Sequence, residues 1–220
     1  MKENAKKGLA CGLALLVIFS VWTLMIMRVD VQAVGVNGTD IGFAGINTWF
    51  HGLTGVHMGL YTITDWLGLV PIVICLCFGA LGLLQLIRRR SLKKVDADIL
   101  LLGGYYILVI LAYLFFEKFP INYRPILIEG AMEASYPSST TLLVLSVMPT
   151  LIFQANRRLA SDSARKAVTI LSAAFAAFMV VGRLVSGVHW LTDILGSVFL
   201  SAGLYLCYRS TVQEINGRNK

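Results

Sequence analysis

Three ionisable side chains interrupt a long apolar stretch near the C-terminal end of the sequence. Between residues 167 and 208, the only Arg, Lys, His, Asp or Glu residues are Arg183, His189 and Asp193. His189 and Asp193 stand four apart, so on one helix face the carboxylate can hold one imidazole nitrogen while the other faces a substrate. Arg183 offers the planar fork that binds phosphate. Ionisable residues are costly near lipid, so this group predicts a functional site for phosphate chemistry.

Further phosphate-binding candidates lie upstream, between the third and fourth apolar stretches. Lys118 and Arg124 stand in this connection, and Ser138, Ser139 and Thr140 open the fourth stretch. The start of a helix leaves unpaired N–H groups that favour an anion, and hydroxyl side chains can donate to phosphate or cap the helix. The predicted phosphate-binding residues are therefore Lys118, Arg124, Ser138, Ser139, Thr140 and Arg183.

The elements that must carry these residues are membrane helices. Hydrophobic residues make up 57% of the 220-residue chain and charged residues only 14%. Six apolar stretches each approach the ~20 residues that cross a bilayer. The sequence predicts an all-α polytopic membrane protein, a six-transmembrane-helix bundle in a single domain, 1–220. The predicted stretches are 9–27, 66–87, 97–116, 138–155, 167–186 and 190–208.

The distribution of basic residues predicts the orientation of this bundle. Of the 19 Lys and Arg residues, 15 lie at the N-terminus, after the second and fourth stretches, or after the sixth. Because cytoplasmic loops carry the excess of Lys and Arg, both termini are predicted to be cytoplasmic, in a multi-pass plasma-membrane protein whose site faces the extracytoplasmic side. The net charge of +7 is then mainly a topology signal. Neither nucleic acid nor an obligate protein partner is predicted.

Together these residues resemble a known three-part signature. Lys118…Arg124-Pro125, then Pro137-Ser138-Ser139-Thr140, then Gly182-Arg183…His189…Asp193 is similar to the motifs of the type 2 phosphatidic acid phosphatase superfamily, across residues 118–193. The resemblance implies that His189 attacks phosphorus and forms a phosphohistidine, and that Asp193 orients it. It also implies that Lys118, Arg124 and Arg183 bind phosphate oxygens of a lipid substrate, with no metal or cofactor.

Three positions depart from that signature. Five residues separate Lys118 from Arg124 instead of six, and Gly182 replaces a serine. Thr140 replaces the histidine that protonates the leaving group, a role that typically contributes ~10²–10⁴-fold. Two explanations stay open at this point. A lipid diphosphate expels a good leaving group without that proton, or His51 or His57 serves as a substitute acid.

The sequence thus predicts a membrane lipid phosphatase acting on a lipid phosphate or polyprenyl diphosphate at the outer face. The alternative is a non-catalytic relative that binds or helps to move lipid phosphates, having lost its general acid. Asp65, Glu117, Glu129 and Glu133 are interpreted as solvated loop charges, although Glu117 could also pair with a site cation. The glycine-rich segment 35–55 is either a flap or a short interfacial helix.

Overall fold

The apolar stretches form helices throughout. The computed structural model describes the backbone of residues 2–218 and the side chains of residues 3–217; Lys220, used in the charge count above, lies outside this part, as does Met1. The described chain contains isolated bridges but no strand. Its α-helices are α1 (Lys2–Ile26), α2 (Ala44–Thr54), α3 (Met58–Leu67), α4 (Leu69–Arg89), α5 (Ala97–Lys118), α6 (Ser139–Arg158), α7 (Asp162–Val185) and α8 (Leu191–Arg218).

Within the described residues, six helical segments are long and apolar enough to cross a membrane. The predicted all-α fold with six candidate spans is confirmed. The second span is longer than the predicted 66–87, because α3 and α4 join through Gly68 into one segment, Met58–Arg89. The undecided segment 35–55 contains the short helix α2, which exposes Trp49 and Leu53.

Helices α1 and α8 pack against each other along their length and run in opposite directions. Gly8 near the start of α1 faces Ser210 near the end of α8. At the other end, the Trp22 indole N–H donates to the Thr192 carbonyl, 3.2 Å away. Both described ends of the chain therefore lie at the same end of the bundle, which we call the basic end because Lys6, Lys7 and Arg209 are there. The start of α8, with His189 and Asp193, lies at the opposite end, which we call the site end.

An aromatic-rich core joins α1, α5, α6 and α8, while the other helices present apolar side chains outward. Leu76 on α4 and Leu171 on α7 are among the most exposed large hydrophobic residues. In a bilayer this outer surface faces lipid chains, which are as apolar as the side chains themselves. The buried core cluster includes Phe19, Leu102, Tyr105, Val109, Phe116, Tyr136, Leu142, Leu200 and Tyr208.

Ion pairs connect three helices at the basic end. Asp96, just before α5, accepts from Arg89 of α4 at 2.7 Å and from Arg158 of α6 at 3.2 Å. Asp98 is 7% exposed and accepts from the other Arg158 nitrogen at 2.9 Å. The ends of α4, α5 and α6 are therefore held together on the side away from the site.

The orientation of the bundle remains a prediction that thiol labelling can check. In a variant without the four native cysteines, we expect Met132→Cys to react with an impermeant thiol reagent in intact cells. Leu92→Cys, at the basic end, is expected to react only after permeabilisation, because the positive-inside rule puts that end in the cytoplasm. Both native side chains are exposed. The reverse labelling pattern would place the site inside the cell.

Candidate active site

The connection between α5 and α6, residues 119–138, folds back on itself at the site end. Tyr123 and Ala134 form an antiparallel bridge. The Ser135 N–H donates to the Asn122 carbonyl at 2.9 Å, so the two arms lie side by side. Arg124, next to Tyr123, is thereby brought to the start of α8 together with Ser135.

His189 lies in the turn before α8 and is 3% exposed. Its Nδ1 atom is 3.1 Å from the Ser135 carbonyl oxygen and 3.7 Å from Asp193 Oδ2. Because the carbonyl can only accept, the hydrogen bond at Nδ1 requires the proton to be on Nδ1 and leaves the lone pair of the neutral ring on Nε2. Nε2 is buried and has no hydrogen-bond partner in the described structure. The imidazole is therefore oriented with an unengaged nucleophilic nitrogen.

Asp193 is fully buried in the first turn of α8 and fixes the backbone that carries the histidine. Its Oδ2 atom accepts from the Trp190 backbone N–H at 2.9 Å, as an acidic residue at a helix start does. Its Oδ1 atom accepts a longer bond from Asn122 Nδ2 at 3.4 Å. The carboxylate lies beside the imidazole, where it would stabilise an imidazolium formed during a reaction.

Burial lowers the pKa of His189 to about 4, and the nearby charges of Arg124 and Arg183 act in the same direction while Asp193 opposes them. A histidine with an ordinary pKa of about 6.5 would be partly protonated at neutral pH. The lowered pKa therefore keeps the ring neutral there, which is the form that can attack phosphorus.

This neutral state can be checked by nuclear magnetic resonance with ¹⁵N-labelled histidine. The His189 signals, assigned by their loss in His189→Gln, are expected to show a neutral ring with the proton on Nδ1 down to about pH 5, because burial disfavours the charged form. Protonation is expected only near the lowered pKa of about 4. A titration midpoint near the ordinary value of about 6.5 would contradict the burial argument.

Two buried arginines lie over the same aromatic ring. The guanidinium carbons of Arg124 and Arg183 are 5.7 and 4.8 Å from the centroid of the Tyr61 ring. In each arginine, Nε and Nη1 are buried and have no hydrogen-bond partner among the described residues. Unpaired buried N–H groups on a cation are costly, so they indicate a place for an anion.

Each arginine is also paired with a carboxylate. Arg183 Nη2 donates to Asp65 Oδ1 at 2.9 Å and also to the Thr140 hydroxyl oxygen. Glu133 Oε2 lies 3.1 Å from Arg124 Nε, close enough for an ion pair but without hydrogen-bond alignment. The interpretation of Asp65 and Glu133 as solvated loop charges is therefore incomplete, because both are paired with a site arginine and Asp65 lies in α3 and not in a loop.

A signal for Asp65 was present in the sequence. It is the only acidic residue between Asp40 and Asp96, in a largely apolar stretch. Such an isolated carboxylate indicates a partner or a function.

Gly182, where the signature has serine, allows α7 to approach α3. A Cβ atom at this position would come within 2.7 Å of the Thr64 side chain, which is shorter than any normal contact. Thr64 precedes Asp65, so the close packing of the two helices brings Arg183 to the Asp65 carboxylate. The departure at Gly182 therefore has a packing explanation.

The three predicted hydroxyl residues have different surroundings. Ser138 is fully buried, and its hydroxyl donates to Thr141 Oγ1 at 3.0 Å. Ser139 is half-buried and lines two cavities, and Thr140 lines one of them while bonding to Arg183. Ser139 and Thr140 therefore face space that a substrate can occupy, whereas Ser138 lies behind them.

In the described part of the chain, no hydrogen bond or ion pair joins Lys118 to the other predicted site residues. It is the last residue of α5 and is exposed. A cavity of about 230 Å³ beside Arg124 is lined by the neighbouring Glu117, together with Glu133 and Ser139, and not by Lys118. With six residues before Arg124, as in the signature, the cation would stand at position 117, which is occupied here by Glu117.

Neither of the two other histidines lies in these cavities. His51 Nε2 donates to the Gly187 carbonyl at 3.1 Å, and His57 is exposed with its Nε2 bonded to the Thr54 carbonyl at 2.9 Å. The geometry gives no support to either as a substitute acid. As for metals, no group of three His, Cys, Asp or Glu side chains that could hold an ion occurs among the described residues.

A larger groove of about 590 Å³ runs between α4, α5 and α6 from the same site. Most of its wall is apolar, while its polar residues Asp65, Ser139 and Thr140 are those around Arg183. A groove of this kind fits an amphiphile whose charged group reaches the arginines. Its apolar lining includes Leu69, Ile72, Leu76, Val109, Ile110, Leu143 and Val147.

Two comparisons with known proteins found a similar family and a similar fold. The family model of the PAP2 superfamily matches residues 78–216, which include α5 to α7 and most of α4 and α8. The fold is similar to that of the first transmembrane PAP2 type phosphatidylglycerolphosphate phosphatase from Bacillus subtilis, with a TM-score of 0.51 and 19% sequence identity over 95% of this chain and 97% of that one. The chain has no match among curated protein sequences.

Proposed function

The chain belongs to the PAP2 superfamily, and from that premise we propose that it is a membrane lipid phosphatase in which His189 is the nucleophile. The observation that carries this proposal is the state of the His189 ring. Its Nδ1 is held by the Ser135 carbonyl, and its Nε2 is buried and unpartnered near two arginines with unpaired N–H donors.

In the first step, His189 Nε2 attacks phosphorus in line with the bond to the lipid oxygen. The P–N bond forms as the P–O bond breaks, and the lipid leaves. Phosphoryl transfer depends mainly on positioning and on stabilisation of the equatorial oxygens. Arg124 and Arg183 supply that stabilisation, with Ser139 and the N-terminus of α6 as further donors. Asp193 stabilises the positive imidazole that results.

In the second step, water attacks the phosphohistidine. The P–N bond breaks, phosphate is released, and His189 returns to its neutral form. The same arginines hold the equatorial oxygens in both steps, so one site serves both transition states.

The proposed substrates are lipid phosphates or diphosphates, polyprenyl diphosphates among them. The apolar groove ends at the Arg183 site, so a lipid chain and its phosphate can be bound together. The proposed location is the plasma membrane, with the site on the extracytoplasmic side, because the basic loops lie at the opposite end of the bundle.

The proposal can be tested with purified protein in detergent micelles. We expect phosphate release from lipid monophosphates or diphosphates of matched chain length, and accumulation of a ³²P-labelled, acid-labile phosphoprotein when the reaction is quenched rapidly with base. A water-soluble sugar phosphate serves as the control and should react far more slowly, because it cannot use the groove. Binding of lipid phosphate without release from any substrate would instead favour the non-catalytic alternative.

A further inference from the structure

We propose that Asp65 is the proton-transfer residue of this site: its carboxyl group protonates the departing lipid oxygen and then accepts a proton from the attacking water. This inference rests on the proposed phosphatase function and assigns a second catalytic residue to it. It starts from the chemistry of the leaving group. A lipid alcohol leaves as an alkoxide unless a proton is delivered to its oxygen, whereas a lipid phosphate leaves readily without one.

Two side chains contact the guanidinium group of Arg183 next to the proposed position of the leaving oxygen. Thr140 Oγ1 and Asp65 Oδ1 both bond to Arg183 Nη2. A threonine hydroxyl does not exchange protons usefully near neutral pH, but a carboxyl group does. Asp65 is therefore the group at this edge with the chemistry of a general acid and base.

The position of Asp65 relative to the two parts of a substrate supports this role. Its side chain is 55% exposed and lines the apolar groove together with Ser139 and Thr140. The remaining N–H groups of Arg183 are buried and unpartnered, ready for phosphate oxygens. In an amphiphile that spans both regions, the bridging P–O–C oxygen must lie between them, which is where the Asp65 carboxyl group is found.

A purely structural role explains Asp65 less well. The residue lies in a candidate membrane-spanning segment, Met58–Arg89, where a carboxylate is costly. Its partner Arg183 is 1% exposed and still has two nitrogens without partners, so the ion pair leaves the buried cation incompletely satisfied.

The protons and bonds balance over the cycle. In the first step His189 Nε2 bonds to phosphorus, the P–O bond breaks, and the leaving oxygen takes the proton of the Asp65 carboxyl group. In the second step water bonds to phosphorus, the P–N bond breaks, and the Asp65 carboxylate takes the proton from water. The enzyme is restored, and the products are the lipid alcohol and phosphate.

The test compares Asp65→Asn with the native protein on a lipid monophosphate and a diphosphate of the same chain. We expect turnover of the monophosphate to fall by ~10²–10⁴-fold, the typical contribution of a general acid. Turnover of the diphosphate should fall at least about tenfold less, because its leaving group needs no proton and water attack through a loose transition state depends little on a base.

Glu133→Gln is the matched control, because it also removes a carboxylate paired with a site arginine. It is expected to lower turnover of both substrate classes by the same factor, because it removes only the partner of an arginine that binds phosphate in both.

A rescue variant distinguishes lost proton transfer from lost folding. In Asp65→Asn/Thr140→His, an imidazole replaces the second group on Arg183 Nη2, and we expect at least about a tenfold recovery on the monophosphate alone, since only that substrate needs the proton.

Equal losses on both substrates in Asp65→Asn, or full activity on the monophosphate, would overturn the inference. A selective loss that Thr140→His does not restore would also count against proton transfer at this position. Failure of the proposed function itself looks different, because the native protein would then release phosphate from neither substrate class.

Discussion

Replacement of His189 by alanine or glutamine is expected to abolish phosphate release and to prevent formation of the phosphoprotein. No other described histidine bonds to the site residues, so the nucleophile has no substitute. Loss of a covalent nucleophile costs on the order of 10⁴–10⁶-fold in kcat in well-studied hydrolases. The measurement is phosphate release under saturating lipid substrate, together with ³²P labelling of the protein.

His57→Gln is the matched control for this variant. Its ring is exposed and bonds to a carbonyl oxygen three residues away in the chain, so near-native turnover and labelling are expected. A His189→Ala protein that folds and turns over substrate like the native protein would rule out the phosphohistidine route. Turnover with normal labelling at another residue would place the nucleophile elsewhere.

Replacement of Arg183 by lysine is expected to reduce kcat/KM by about 10²–10³-fold, the usual cost of losing one donor to the developing charge. Lysine keeps the positive charge for Asp65 but lacks the rigid fork of N–H groups. In the native protein those groups contact Asp65 and Thr140 through Nη2, while Nε and Nη1 remain available. The loss should appear in steady-state kinetics on every substrate that the protein accepts.

Arg165→Lys is the comparison for that variant, since Arg165 pairs with Asp162 near the start of α7, at the other end of the helix. It should have native kinetics. Thermal unfolding of both proteins distinguishes lost chemistry from lost folding, because Arg183 is buried and Arg165 is not. Native kcat/KM in a folded Arg183→Lys protein would remove Arg183 from the proposed clamp.

The fold was accessible from the sequence because lipid imposes a simple requirement. A segment that crosses a bilayer must satisfy its own backbone hydrogen bonds, so each long apolar stretch becomes a helix. The division of the second span into α3 and α4 at Gly68 was not predicted. The short helix α2 stayed undecided for a related reason: it buries Asn47 against Thr192 of α8, which is a tertiary contact.

The candidate site was accessible only in part. Arg183, His189 and Asp193 stand out in a stretch without other charges, and the structure places them in one region with Arg124 and Thr140. The sequence did not reveal that the Ser135 carbonyl binds the His189 ring. Every residue has a backbone carbonyl, so the residue types give no sign of which one is used. The structure gives no support to the prediction that Lys118 binds phosphate. Neighbouring residues on a helix point in different directions, and the spacing between motifs did not identify whether residue 117 or residue 118 faces the site.

The ion pairs of the two arginines also bear on how phosphate leaves. A doubly charged product among buried guanidinium groups is held strongly, and escape of product often limits the turnover of enzymes. Asp65 and Glu133 lie close to the same cations, at 2.9 Å from Arg183 and 3.1 Å from Arg124. Glu133 can compensate Arg124 as phosphate departs, and Asp65 can compensate Arg183 once it has given up the proton that it took from water. The site thus contains its own competing anions, which weaken product inhibition.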